Sequence, residues 1–485
     1  MLHVNKLIEL SSNIANYIRL HFGEEYLRNY QAYYSGEYKP CLRVSPFADK
    51  HKLIERLTGY KISLEAIHGI SNAFRITSGS DSVGKTLEFI LGQYYIQSLS
   101  SMIPALILNP GPNDSVLDLC AAPGSKTTQL AELMNNRGTL IANEISTDRL
   151  KSLVFNVDKM SLLNVGILHG KGELLSRQFE NRFDKILVDA PCSALGITQK
   201  KGEVSNWWDI RKAEAMSDQQ LRLLISAVKM CKVGGEIVYS TCTLTLEENE
   251  LIIDKILKKY PFELAEINSP VESSSGLTKY GDQFLNDELA KTRRILPWKI
   301  NSEGFFVAKL IKTGNTEPVE RIYRQERKYD LIKSSSGKIK NYISGLSDYY
   351  GIPVTLFESY KYLIKNNDIH FVDVNWQSEH LESFNRIGTR LGSIDKRNIL
   401  QLNPLAAQIF GENISKNIIE LESIAELEIY FNGGIIKKFF ETGGQRVIKF
   451  NDYFLGTAVA SKEGLKSQFP RAFRTQEIIL PSRLN

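Results

Sequence analysis

Two cysteines sit where apolar, β-branched runs end: Cys192 in "ILVDAPCSALG" and Cys242 in "GEIVYSTCTLTLEENE". In an open α/β sheet the carboxyl ends of parallel strands face a common crevice, so the two thiols are expected to meet there. A cysteine is strongly nucleophilic even when only a small fraction is thiolate. Addition of such a thiolate to carbon 6 of a pyrimidine makes carbon 5, otherwise a poor nucleophile, able to take a methyl group. The carbon 5 proton must then leave so that the thiol can be eliminated. Asp189, three residues before Cys192, is the acid placed to hydrogen-bond a cytosine edge while charge develops on it. Residue types alone do not choose which thiol attacks. A strand-end cysteine is often just a small buried hydrophobe, which is the reading for Cys41 and Cys231.

The methyl donor needs its own site. "SVLDLCAAPGSKTTQLAELM" supplies a strand, a small-residue turn and a helix start. Cys120, Ala121, Ala122, Pro123, Gly124, Ser125 and Lys126 let a ligand approach the backbone, and the helix N-terminus adds its amides. Glu144, at the end of the next strand "TLIANE", stands where an acid holds ribose hydroxyls. With one glycine instead of G-x-G-x-x-G there is little provision for a pyrophosphate, which favours S-adenosylmethionine over NAD. A competing motif lies upstream. "GSDSVGKT", Gly79 to Thr86, matches the phosphate-loop pattern G-x-x-x-x-G-K-[ST], and "ILVD" could imitate a magnesium-binding strand. The strand before it, "AFRIT", is short and interrupted by Arg75, and the helix after it is weakened by Gly92 and two tyrosines. A P-loop nucleoside triphosphatase is therefore disfavoured.

The elements that must position these residues alternate regularly. Strand-like "SVLDL", "TLIANE", "NVGIL", "DKILVDA" and "GEIVYST" are followed by amphipathic stretches at 125–136, 147–160, 172–180, 211–231 and 247–258. This rhythm predicts an α/β, Rossmann-like sheet with helices on both faces, completed by "FELAEI" and "GFFVAKLI". Residues 1–80 read as a small, mainly helical region, 81–312 as the catalytic domain, 313–340 as a linker containing "KSSSGKIKN", and 341–485 as a mixed α+β region.

Composition narrows the class. The chain has 485 residues, 42% hydrophobic and 24% charged, as expected of a soluble multidomain protein. No apolar run reaches the roughly 20 residues needed to span a bilayer, and the N-terminus lacks the features of a secretory signal, so a cytoplasmic protein is expected. The five cysteines form no C-x-x-C and have no nearby histidine cluster, so no metal is expected. Residues 436–485 hold nine Lys/Arg against four Asp/Glu, which accounts for the whole net charge of +5. Lys462, Lys466, Arg471 and Arg474 are among them, interleaved with Phe439, Phe440, Phe450, Tyr453, Phe454, Phe469 and Phe473. Phosphate contact combined with base stacking would use such a tail; the alternative is a basic surface over an ordinary β-domain core.

Taken together, "GQYYIQSLSS", "VLDLCAAPGSKTTQL", "ILVDAPCS", "GGEIVYSTCTLTLEENE" and "GFFVAKL" resemble the Sun family of RNA (cytosine-5) methyltransferases, in particular bacterial ribosomal RNA enzymes of the RsmF type. "YFLGTAVASKEGLKSQFPRAF" is similar to their C-terminal segment, which implies a PUA-like RNA-binding domain. The resemblance implies Cys242 as nucleophile, Cys192 in adduct breakdown and product release, Asp189 between cofactor and base, and Glu144 on the ribose. It further implies RNA contacts by the N-terminal region and the basic tail, and a monomer acting on ribosomal RNA, with transfer RNA as the alternative substrate. A ribosome-assembly factor whose methylation is dispensable is a further alternative. Departures occur at Lys171, which stands where relatives have an Asp near the adenine, and at Ala194, Leu195 and Trp298.

Overall fold

The computed structural model describes residues 10–200, 203–320, 329–474 and 478–479. Parts of the expected N-terminal region and linker, and Arg483, lie outside the described residues. The central sheet carries five parallel strands: β1 (Ser115–Asp118), β2 (Thr139–Glu144), β3 (Val165–His169), β4 (Phe183–Asp189) and β5 (Cys231–Thr241). Strand β6 (Phe305–Lys312) pairs antiparallel with β5. The order is β3-β2-β1-β4-β5-β6, so the chain reverses direction across the sheet between β1 and β4, and a crevice opens at that point.

Helices α1 (Ser125–Leu133), α2 (Thr147–Lys159), α3 (Ile210–Met230) and α4 (Glu250–Lys259) connect or flank these strands. The first three start for local reasons. Gly124 takes φ +110 at the start of α1, a left-handed conformation that suits glycine. Ser146 caps α2 by accepting from Arg149 N–H, and Asp209 caps α3 by accepting from Lys212 N–H. Leu150, Leu153 and Val157 line the buried face of α2, while Leu223, Leu224, Ala227 and Val228 line that of α3. They cover opposite faces of the sheet in two separate cores.

The N-terminal region holds a sheet beside its helices. After the long helix Ser12–Tyr34 it forms a four-stranded antiparallel sheet from Cys41–Val44, Ser63–Ala66, Ala73–Ser78 and Tyr94–Ile96, with helix Lys50–Gly59 against it. The last of these strands lies beyond the boundary expected at residue 80. Strands this short carry little periodicity, and Arg43 and Arg75 interrupt two of them, so that only Ala73–Ser78, the "AFRIT" run, reads as a strand in the sequence. Arg43 is buried because Glu132 meets its Nε at 2.8 Å and Thr128 its Nη2 at 3.1 Å.

The C-terminal region is α+β, with two five-stranded sheets. It is not separate from the catalytic sheet. Phe384–Ile387 pairs antiparallel with β3 and extends that sheet at its edge. Gly166 on β3 permits this approach: a Cβ there would lie 2.6 Å from Trp376 and 2.8 Å from Phe384. Further out, the Phe155 and Phe473 rings stack at 4.5 Å, and Arg56 pairs with Asp452 at 3.1 Å.

The aromatic residues of the basic tail divide unevenly. Phe450, Tyr453, Phe469 and Phe473 are buried in the core of the last sheet, so they are not available to stack on bases. Phe439 is the large exposed one, at 71%.

Candidate functional site

The carboxyl ends of β4 and β5 bring the two thiols together: Cys192 Sγ and Cys242 Sγ are 3.1 Å apart. The backbone closes around them, since Gly196 N donates to Cys242 O at 2.9 Å and Gly304 N to Gly196 O at 2.7 Å. Hydrogen bonding to Cys242, together with burial, pushes the Cys192 thiol well up, so it stays protonated at neutral pH. A protonated Cys192 beside Cys242 is a donor for a thiolate on its neighbour.

Asp189, the last residue of β4, shares this mouth. Its Oδ2 pairs with Lys126 Nζ at 2.8 Å and its Oδ1 accepts from Ser240 Oγ at 2.8 Å. Its side chain is 27% exposed while that of Lys126 is 8% exposed, so the carboxylate faces the crevice with its counter-ion behind it. Burial opposes the Lys126 charge, but the Asp189 carboxylate outweighs it and holds the ammonium above the ordinary lysine range. Lys126 also donates to Ser101 Oγ at 3.0 Å. Sequence reasoning assigned Lys126 to the cofactor loop alone; the structure joins it to Asp189 as well.

The loop Cys120–Lys126 runs from β1 into α1 beside this pair. Ala121 N donates to Asn143 O at 2.8 Å, and Asn156 Nδ2 donates to Pro123 O at 2.8 Å, which ties the turn to β2 and α2. Glu144 is buried at the end of β2; its Oε1 accepts from Ser146 N at 2.8 Å and its Oε2 lies 3.5 Å from Arg149. Two buried oxygens along this rim, Asp118 Oδ1 and Asn143 Oδ1, have no hydrogen-bond partner among the described residues. Burial raises the Asp118 carboxyl to about 7. A ligand with an amino group and hydroxyls fits such a rim, as S-adenosylmethionine has. Cys120 is pushed well up by burial and neighbouring acids and remains a thiol. Lys171 is exposed at the carboxyl end of β3, where it borders a cavity of about 320 Å³ with His169, Arg177 and His380.

Other expected positions fall elsewhere. Lys462, Lys466, Arg471 and Arg474 are all exposed on the C-terminal sheet and its following turn. Cys41 and Cys231 are buried, and burial pushes the Cys231 thiol up to about 12. The phosphate-loop look-alike is a turn leading to a four-residue helix, Leu87–Ile90. The Thr86 hydroxyl is engaged with Tyr94 Oη at 2.7 Å and with Phe89 N, and Lys85 O accepts from Ile479 N at 3.1 Å. The loop seats Ile479.

Sequence reasoning missed the groups that fix the Cys192 loop from outside. Tyr30, on the N-terminal helix, donates to Leu195 O at 2.8 Å, and Trp208 Nε1 donates to Ser193 Oγ at 3.1 Å. Neither residue stands near a strand end, so the spacing that exposed the cysteines is blind to them.

A family model described as 16S rRNA methyltransferase RsmB/F matches residues 105–311. Ribosomal RNA small subunit methyltransferase F of Shewanella piezotolerans is 30% identical over 92% of this chain and 93% of its own. The chain belongs to the RsmB/F family. The tRNA (cytosine(49)-C(5))-methyltransferase of Pyrococcus abyssi is 36% identical over 62% of this chain and 95% of its own. Among solved structures, a methyltransferase homolog protein from Pyrococcus horikoshii superposes with TM-score 0.56 at 30% identity, covering 63% of this chain and 96% of its own. NSun6 from the same organism, solved with SFG, gives TM-score 0.55 at 22% identity over 63% of this chain and 98% of its own, a likeness of fold. The family match covers β1 to β6 almost entirely, so the crevice with its two thiols lies wholly within it.

Proposed function

We propose that this protein methylates carbon 5 of a cytidine in 16S ribosomal RNA, with S-adenosylmethionine as donor. Its family makes it an RNA (cytosine-5) methyltransferase. The observation that carries the mechanism is the thiol pair at 3.1 Å beside the Lys126–Asp189 ion pair. Cys120–Lys126, Glu144 and Lys171 would hold S-adenosylmethionine, with Glu144 at its ribose, and when bound it would supply an electrophilic methyl group.

Cys242 is the nucleophile that adds to carbon 6. Asp189 keeps acceptor capacity on both oxygens after serving Lys126 and Ser240, and so binds the cytosine edge and positions the ring. After transfer, the proton on carbon 5 leaves and the Cys242 sulfur departs with its electron pair. The Cys192 thiol donates to that departing sulfur and thereby assists product release. The target base must leave its stack for both faces to be reached. The last sheet, with Lys462, Lys466, Arg471 and Arg474 exposed, is read as the PUA-like module that holds RNA phosphates. The ribosomal substrate is favoured over transfer RNA because the RsmF relative matches 92% of the chain, C-terminal region included, against 62% for the tRNA enzyme.

RNA carrying 5-azacytidine tests the assignment. With S-adenosylmethionine, the wild type forms a denaturation-resistant adduct that is lost in Cys242→Ser and retained in Cys192→Ser. The reverse pattern overturns the roles given to the two thiols.

A further inference from the structure

One fully buried carboxylate, with no part in the steps above, joins the two cysteine loops. Glu248, in the "EENE" run that leads into α4, accepts at Oε1 from Ser193 N at 2.8 Å and Gln220 Nε2 at 2.9 Å. Its Oε2 accepts from Thr245 Oγ1 at 2.8 Å and from Ser193 Oγ. The contacts bracket Cys192: Ser193 follows it, and Gln220 Nε2 also donates to the carbonyl of Pro191, which precedes it, at 2.8 Å. They also reach the residue after Cys242, because Thr243 Oγ1 lies 3.1 Å from Ser193 Oγ.

Charge sets the direction of this network. An ionised carboxylate only accepts, so the Ser193 hydroxyl proton goes to Glu248 and Thr243 must donate to Ser193. Thr243, Ser193 and Glu248 thus form one oriented chain from one thiol loop to the other. Tyr239 Oη donates to the Glu248 carbonyl at 2.6 Å and fixes the backbone that carries the acid. Burial pushes the Glu248 carboxyl up, and its bonds from Ser193, Thr245 and Gln220 oppose that shift. A group this buried and this fully hydrogen-bonded is costly to alter, because each lost contact strands a donor.

We propose that Glu248 is a positioning residue that holds the Cys192 and Cys242 thiols at contact distance, and so governs breakdown of the cysteine–cytosine adduct. The inference rests on the methyltransferase reading above. In the step concerned, the carbon 5 proton passes to water and the C5–H electron pair becomes the C5=C6 bond. The C6–S pair returns to the Cys242 sulfur, and Cys192 donates a hydrogen bond to it. Formation of the adduct needs Cys242 alone; its breakdown needs both thiols in register. Loss of the clamp therefore acts on the second half of the reaction.

Glu248→Gln tests this. The amide keeps the shape but brings donors where Ser193 and Thr245 already donate. With natural RNA and S-adenosylmethionine, the steady-state level of covalent complex is expected to rise roughly tenfold and turnover to fall by a similar factor, with KM for the donor unchanged. Cys192→Ser should give the same pattern. Glu250→Gln is the control for a merely structural loss, since it breaks an equally buried pair between Glu250 and Arg294 (2.5 Å). It should lower thermal stability without accumulating adduct. If Glu248→Gln behaves as Glu250→Gln does, or as wild type, the inference is overturned. If wild type forms no adduct even on 5-azacytidine RNA, the methyltransferase reading itself falls; if it does and Glu248→Gln leaves the adduct level unchanged, only the role of Glu248 falls.

Discussion

Two glycine-containing loops in this chain invite a cofactor reading, and the one with the better motif has the poorer structural context. Gly79–Thr86 satisfies every fixed position of a phosphate loop, yet it leaves an antiparallel strand, leads into a four-residue helix and spends its threonine hydroxyl on Tyr94. Leu119–Lys126 has a looser pattern but leaves a parallel strand at the sheet's reversal and enters the nine-residue helix α1. Around it lie Glu144, Asp118 and the Asp189–Lys126 pair. Amides bind an anion or a ribosyl group only when a rigid strand and a following helix aim them, so context outweighs pattern.

The comparison can be broken most severely at its two lysines. Lys126→Ala leaves Asp189 without its counter-ion and should lower methyl transfer by about a hundredfold or more, measured as tritium transfer to RNA. Lys85→Ala should stay within about twofold in the same assay, and no ATP hydrolysis should depend on it. Equal losses would erase the distinction.

The acid at the end of β1 makes the next test, one of stability. Asp118 is raised to about 7 by burial, above the ordinary range of an unfolded aspartate. Protonated Asp118 is therefore the form the fold prefers, and its contribution is present below about pH 4 and lost as pH rises to about 7. Asp118→Asn should gain on wild type across that window, on the order of 4 kcal/mol by pH 8, read from denaturant titrations of the ligand-free protein. A constant offset at all pH values would contradict the shift.

Glycine substitutions sharpen the contrast on a smaller scale. Gly124 has φ +110, and a Cβ there would lie 3.1 Å from Leu153 Cδ1. Gly124→Ala should cost about 1–3 kcal/mol and weaken donor binding measured by calorimetry. Gly84 has nothing within 4 Å of an added Cβ, so Gly84→Ala should change stability by less than about 0.5 kcal/mol. Thr86→Ala, which loses a cap, should cost about 1 kcal/mol in thermal unfolding while turnover is kept, between the two glycine changes.

Much of the catalytic sheet is legible in the residues. Buried parallel strands read as continuous apolar runs, and β1 to β5 follow "SVLDL" to "GEIVYST" closely. Cys192, Cys242, Asp189 and Glu144 stood out because strand ends mark them. Glu248 did not, since an acid in "EENE" looks like a solvated helix start until the Ser193 loop is folded over it. Most of the N-terminal sheet was hidden by short strands with embedded arginines, Arg43 among them being buried because Glu132 and Thr128 arrive from α1. The basic tail misled differently: its aromatics suggested stacking platforms, and four of them build the last core.

The sequence by itself determined the order of strands and helices in the catalytic sheet, the chemical groups at its strand ends and the sign of charge on the last fifty residues. These follow from local periodicity and composition, which need no distant partner. Only the tertiary structure set the separation of the two thiols at 3.1 Å, paired Lys126 with Asp189, and placed Glu248 against Ser193 in the Cys192 loop. Such contacts depend on strand pairing and burial across the sheet, where a buried charge is tolerated only opposite the partners the fold brings to it.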